Sequence, residues 1–236
     1  MKLIDRHCHC APLSKCAIID GKRAININKA AGINGMVLTN HFDPYHLLEN
    51  ETKEEFAKRY VDCYYENKKY ADSIGFDLFF GIEVTLINEG WVHILLFGLE
   101  PDFVFKHNNL YELSLSELRQ IVLENNGMMI QAHPFRNNVN QLVNTKYIDG
   151  VEANCAINFE GHHIDEIIQV ANDNNITVVA GGDYHGNTYK TRVGTYVPRS
   201  IKTSQELKNY LLGRKEVFIS IAANYEAAHD LHINLK

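Results

Sequence analysis

The chain is short of several features that mark particular protein classes. It has one tryptophan and five prolines in 236 residues, and no Pro- or Ser-rich run divides it. That argues against a linker or a low-complexity arm. No apolar stretch reaches the length needed to span a bilayer, and Met1-Lys2-Leu3-Ile4-Asp5 lacks the apolar segment of a secretion signal. Lys plus Arg number 23 against 29 Asp plus Glu, for a net charge of -6, and the basic residues form no block. The electrostatic footprint of a duplex nucleic-acid binder is therefore missing. The five cysteines (Cys8, Cys10, Cys16, Cys63 and Cys155) are odd in number and not spaced as a disulfide scaffold. The expectation is a cytoplasmic protein with no membrane partner. Oligomeric state is left open.

What is present is a regular alternation. Short apolar strands are expected at 2–7, 35–39, 78–84, 91–98, 127–132, 148–153, 176–181 and 216–220. Helical periodicity is expected at 49–72, 114–126, 162–174 and 204–212. In 49–72, Phe56, Tyr60, Cys63, Tyr64 and Asn67 recur at helical spacing and read as core. Strands alternating with helices predict a mainly parallel sheet, and the length suits a single α/β domain over 1–236.

The chemistry lies where the strands end. His7 and His9 alternate with cysteine at the end of the first strand, so both imidazoles project to one face. His41, Glu83, His133, Asp183 and His185 follow later strands, and His93 lies early in the strand 91–98. Ligands gathered at the carboxyl ends of many strands fit a β/α barrel better than the single switch point of a doubly wound sheet. Mixed imidazole and carboxylate donors suit Zn, Mn or Fe. Eight such groups exceed the needs of one ion and fit two or three divalent ions, with Glu83 and Asp183 as the available bridges. A lone histidine would mean little; the set carries the argument.

The quoted residues resemble a known family. Asp5-Arg6-His7-Cys8-His9, Thr39-Asn40-His41, Gly81-Ile82-Glu83, Val92 to Gly98, Ala132-His133-Pro134-Phe135, Gly150-Val151-Glu152 and Gly182-Asp183-Tyr184-His185 are similar, in order and spacing, to motifs of the polymerase and histidinol phosphatase (PHP) domain. The resemblance implies a distorted (βα)7 barrel with its site at the carboxyl ends of the strands. It also implies two or three metal ions and hydrolysis of a phosphomonoester or small phosphodiester by a metal-activated hydroxide. It places His7, His9, Glu83 and Asp183 in one part of the cluster, with His41, His93, His133 and His185 completing it.

Two departures stand out. Asn40 replaces an aspartate common in the family, and Ser14-Lys15-Cys16 occupies the stretch where a further Asp, Glu or His ligand is expected. Cys16 reads as a buried structural cysteine rather than a thiolate ligand. Cys8 and Cys10 read as packing residues, Asp5 as a residue that orients a histidine, and Glu152 stays outside the ligand set. Arg136 and Arg192 are the expected substrate phosphate binders, and His133, His185 and Asp183 the expected catalytic groups. The segment 184–200, with Tyr184, Tyr189, Lys190, Arg192 and Tyr196, is expected to contact a small phosphorylated substrate. His46, His107, His162, His163, His229 and His232 read as surface or loop residues. Two other functions are carried: an amidohydrolase-type metal hydrolase cutting C–N bonds, and a non-catalytic metal-bound module.

Overall fold

The computed structural model describes residues 1–136, 141–155, 162–186, 190–223 and 226–236. Tyr189 lies outside the described residues.

Ten strands form one curled sheet: β1 (Lys2–Cys8), β2 (Gly35–Leu38), β4 (Asp77–Leu86), β5 (Val92–Phe97), β6 (Met128–Gln131), β7 (Gly150–Asn154), β8 (Thr177–Gly181), β9 (Gly194–Val197), β10 (Glu216–Ile221) and β11 (His229–Asn234). Their order is β11-β10-β9-β1-β2-β4-β5-β6-β7-β8, and a two-residue strand β3 (His41–Phe42) pairs with β4. The helices are α1 (Gly21–Ala30), α2 (Lys53–Ser73), α3 (Phe103–Lys106), α4 (Leu115–Glu124), α5 (Ile164–Asn174) and α6 (Ser204–Leu211). None of the described helices is long and apolar enough to cross a membrane.

The distorted (βα)7 barrel implied by the resemblance is met in part: the fold is mixed α/β, with a curled half-barrel sheet consistent with a TIM-like fold but not a clear (βα)7 barrel. Strand β5 is antiparallel to both β4 and β6. Residues 87–91, which join β4 to β5, leave no room for a crossover helix, and a parallel return requires one. Strands β9, β10 and β11 are also antiparallel to their neighbours. The parallel character survives in β1–β2–β4 and β6–β7–β8.

The curl brings β8 back to β1. Tyr184 donates its N–H to the His7 carbonyl at 3.1 Å, and His9 donates to the Tyr184 carbonyl at 2.9 Å. Alternation along β4 makes the two layers. Phe79 faces an inner core with Ile4, Val37, Leu95, Ile130 and Val179, to which α6 contributes Leu207 and Leu211. Leu78, Phe80 and Ile82 face outward, in the core that holds Phe56, Tyr60 and Tyr64 of α2. The helical spacing of 49–72 is thus a packing face, as expected.

Local sequence explains the helix starts. Thr52, Ser114 and Thr203 each form a capping box with a glutamate three residues on. Helix α1, unmarked by the sequence pattern, starts on the Asp20 side chain and buries Ala24, Ile25 and Asn28. Its β-branched isoleucines and polar outer face weaken the helical signal. Strand β9 and the lysine before it lie in the segment expected to meet substrate. The Lys190 side chain is instead buried and ion-paired with Asp5, and Tyr184 is buried in the core.

Candidate metal centre

Glu83 stands at the centre of the site. It is fully buried near the end of β4, on the same face as Phe79. Its Oε2 lies 3.2 Å from His7 Nε2, 3.3 Å from His9 Nε2 and 2.8 Å from His41 Nδ1. Its Oε1 lies 2.9 Å from His93 Nδ1 and 3.2 Å from His133 Nε2. Burial alone would raise this carboxyl, but the charges of His7, His41 and His93 hold it well below its ordinary range.

Asp183 is the second carboxylate. Its Oδ1 lies 3.0 Å from His9 Nε2, 3.2 Å from His7 Nε2 and 3.5 Å from His185 Nδ1. Arg136 donates to its Oδ2 at 2.5 Å and to Asn154 Oδ1 at 2.8 Å. Burial works against its charge, yet His7, Arg136 and His185 hold its pKa well below the ordinary value. All eight residues expected to bind metal therefore meet in one cluster. His7, His9, Glu83 and Asp183 offer donor atoms within 4.8 Å of one another, as do His41, Glu83 and His93, and also His9, His41 and His185.

His93 depends on the antiparallel turn of β5. In an all-parallel barrel an early strand residue would sit at the far end from Glu83. The reversed β5 pairs His93 with Thr85, two residues beyond Glu83 on β4.

The imidazoles are held from behind. His7 donates Nδ1–H to Glu152, with both oxygens at 3.0 and 3.1 Å. Glu152 Oε2 also accepts the backbone N–H of His133 at 3.0 Å. His9 Nδ1 lies 3.3 Å from Ser14 Oγ, which donates to Asn40 Oδ1 at 2.9 Å and accepts the N–H of His41 at 3.1 Å. Both arrangements engage Nδ1 and turn Nε2 toward the carboxylates, the atom each ring would offer to a cation. Gly181 is required here, because a Cβ would strike Glu152 Oε1 and His7 Cβ. His133 and Asp183 both take positive φ, 31° and 45°, the kind of strained backbone that concentrates at functional sites.

The proton-binding tendencies split the rings. Burial opposes a proton on His7, but Glu152, Glu83 and Asp183 raise it well above its ordinary pKa. His9 is pushed well down by burial and by His185 and His41. Burial, then Arg136, brings His133 down to about 4. Burial would lower His41, but Glu83 and Cys16 raise it to about 10.

The donor set fits divalent ions. His7 Nε2, His41 Nδ1 and Glu83 Oε2 are buried and make no hydrogen bond among the described residues, although they converge within a few ångströms. Buried polar atoms rarely lack partners, and convergent lone pairs without shared protons are what a cation would satisfy.

Several assignments change. Cys16 is exposed rather than buried, and its thiol lies within 4.8 Å of donor atoms of His41 and His46. Desolvation would raise that thiol, but the nearby imidazoles of His185 and His41 bring it down to about 6. His46 is buried and stacks on His41, with ring centroids 4.7 Å apart and planes 9° apart. Among the other histidines read as surface or loop, His107, His162 and His163 are half-buried and His229 and His232 exposed. Asp5 accepts the backbone N–H groups of His7 and Gly182 rather than orienting a ring. Arg192, expected near phosphate, is exposed and bonds Tyr196 and Asp230 on the β9–β11 side. Cys8 and Cys10 are buried packing residues, as expected.

Glu152 had a visible signal, a carboxylate after a strand. Ser14 and His46 had none, because their roles arise from loops folded against the cluster.

No protein-family model matches the sequence, and no curated protein matches it. Solved structures do. One is a two-domain protein from Bacteroides vulgatus containing a predicted PHP-like metal-dependent phosphoesterase, at TM-score 0.67 and 13% identity, covering 100% of this chain and 86% of that one. A putative metal-dependent phosphoesterase from Bifidobacterium adolescentis aligns at TM-score 0.58 and 13% identity, over 89% of this chain and 96% of that one. An amidohydrolase from Chromobacterium violaceum, with bound sulfate and no metal, aligns at TM-score 0.55 and 14% identity, over 89% and 98%. At these identities the likeness is one of fold.

Proposed function

We propose that this chain is a metal-dependent hydrolase of phosphomonoesters or small phosphodiesters. The observation that carries the reading is Glu83, one buried carboxylate facing five imidazoles, with the Arg136 guanidinium on the neighbouring Asp183. His7, His9, Glu83 and Asp183 would hold one ion, and His41, His93, His133 and His185 would complete a set of two or three. Bound Zn, Mn or Fe would supply an acidified water nucleophile and positive charge for the phosphoryl oxygens.

The chain's own residues do the rest. Glu152 and Ser14 fix the tautomers of His7 and His9. Arg136 stands where it can bind a phosphoryl oxygen and stabilise charge developing on it. His133, held neutral by a pKa of about 4, suits coordination. His185 is raised above its ordinary pKa: burial opposes this, and Asp183 and Cys16 outweigh it. It is therefore the ring of the pair that retains a proton when no ion is bound. The five free cysteines agree with a reducing, cytoplasmic location, and the substrate is taken to be small.

The C–N hydrolase reading usually calls for a carboxylated lysine bridge. The Lys190 side chain is buried but paired with Asp5, and Glu83, which faces several imidazoles, would take the bridging role. The deciding assay loads the protein with Mn or Zn and offers p-nitrophenyl phosphate, its bis-ester and an amide panel. Turnover of a phosphate ester is expected. Metal bound with every phosphate ester inert would overturn the reading, and amide turnover alone would transfer it to the C–N class. Metal bound with no turnover at all would leave a non-catalytic module.

A further inference from the structure

Two cysteines outside the metal cluster stand sulfur to sulfur. Cys10, buried one residue after His9, has its Sγ 3.7 Å from Cys63 Sγ on α2. Both are free thiols. Two buried amides face the pair. Asn40 Nδ2 lies 3.5 Å from Cys10 Sγ and 3.8 Å from Cys63 Sγ, and Asn67 Nδ2 lies 3.6 Å from Cys63 Sγ. An aspartate at position 40 would set an acceptor against the sulfurs instead. Cys63 is half-buried and forms part of the wall of a groove of about 850 Å³ between α1 and α2. Arg23, Lys58 and Arg59 line that groove with one sign of charge, and Asp20, Asp62 and Glu66 with the other.

We propose that Cys10 and Cys63 form a reversible redox site, oxidised through the groove by a small zwitterionic disulfide of the glutathione type. The mixed charges of the groove complement a ligand that carries both carboxylates and ammonium groups. The groove leads to Cys63, the more accessible of the two sulfurs.

The exchange balances in two steps. Cys63 attacks one sulfur of the small disulfide, the S–S bond of that molecule breaks, and the first small thiol leaves with the Cys63 proton. Cys10 then attacks Cys63 Sγ, the mixed disulfide breaks, and the second small thiol leaves with the Cys10 proton. The two cysteines lose two electrons and the small disulfide gains them.

The pair is linked to the metal cluster. Cys10 donates its backbone N–H to Asn40 Oδ1 at 2.8 Å, and the same oxygen accepts the Ser14 hydroxyl at 2.9 Å. Ser14 Oγ in turn lies 3.3 Å from His9 Nδ1. A disulfide bond is about 2.05 Å long, so the sulfurs must approach by roughly 1.7 Å. The Asn40 amide that contacts both must then shift, and Ser14 and His9 shift with it. The oxidised chain therefore binds metal more weakly. That consequence rests on the metal-dependent reading above; the bridge itself does not.

The test incubates the reduced, metal-free full chain with oxidised glutathione, traps the remaining thiols with N-ethylmaleimide in denaturant at low pH, and maps the cysteines by peptide mass. A peptide cross-linked through Cys10 and Cys63 is expected, and dithiothreitol should remove it. Cys10→Ser should stop at a glutathione adduct on Cys63. Metal binding is then titrated against a competing chelator in a Cys16→Ser background, because the exposed Cys16 thiol lies near His41. Oxidation should weaken binding by about tenfold, reduction should restore it, and the same treatment should leave the affinity of a chain also carrying Cys63→Ser unchanged.

A wild-type chain with both thiols free, a cross-link between other cysteines only, or an adduct on Cys63 that Cys10 never displaces would overturn the inference. A Cys10–Cys63 cross-link with unchanged metal affinity would overturn its coupling to His9. No metal binding by the reduced chain would overturn the metal-dependent reading and leave the cross-link standing.

Discussion

Glu152 takes the Nδ1–H of His7 with both carboxylate oxygens, at 3.0 and 3.1 Å, and holds the His133 backbone N–H with one of them. One carboxylate that need not touch a metal thus sets the tautomer of one proposed ligand and the backbone of another. Glu152→Gln keeps the shape but allows the amide nitrogen to face His7. It should weaken metal binding by about 10- to 100-fold with little change in the fold, read by titration against a competing chelator. Unchanged affinity would show that the pair is structural only.

Ser14 links His9, Asn40 and the His41 backbone through one hydroxyl. Ser14→Ala should free the His9 ring to change tautomer and lower metal affinity by about tenfold. Asn40→Ala, which removes the acceptor of the Ser14 hydroxyl, should reproduce part of the loss. Full affinity in Ser14→Ala would remove the relay from the account.

The two arginines separate. Arg136 contacts Asp183, whereas Arg192 bonds Tyr196 and Asp230. If phosphate is the substrate group, Arg136→Met should cost about 100-fold in kcat/KM with metal content retained. Arg192→Ala should stay within about twofold, since its role lies on the surface. The opposite ranking in steady-state kinetics would reverse the assignment.

The metal-free protein should lose stability as pH falls from 6.5 toward 4. His46 and His133 have folded pKa values of about 4 against an ordinary 6.5, the first pushed down by burial and His41, the second by burial and Arg136. In that window the unfolded chain binds more protons than the folded one, so stability rises with pH and is lost on acidification. Glu83 and Asp183, held low, add to the same slope at the acid end. Denaturant midpoints measured in chelator at steps across this window should fall steadily, and a flat profile would contradict the burial of these rings.

Arg6 is fully buried one residue before His7, and none of its three guanidinium nitrogens has a hydrogen-bond partner among the described residues. A buried charge without a partner costs stability. Arg6→Met should stabilise the chain by about 1–4 kcal/mol, read as a higher melting temperature with unchanged metal content. A lower melting temperature would show that the guanidinium has a role the protein atoms alone do not reveal.

Much of this site was legible in the chain. The proposed ligands' residue types and their places at strand ends follow from local pattern, because an H-x-H on a strand faces one way whatever the rest of the fold does. The capped starts of α2, α4 and α6 are local in the same sense. What only the tertiary structure decided depends on register and closure between distant segments. The antiparallel β5 carries His93 to Glu83, and the return of β8 to β1 sets Asp183 beside His7 and His9. The folding of loop 10–20 against β3 turns Cys16 from an expected core residue into an exposed neighbour of His41 and His46. Arg136 and Arg192 look alike in sequence; one reaches Asp183 and the other Asp230 because a side chain's partners are fixed by how strands pair, and no local pattern encodes that.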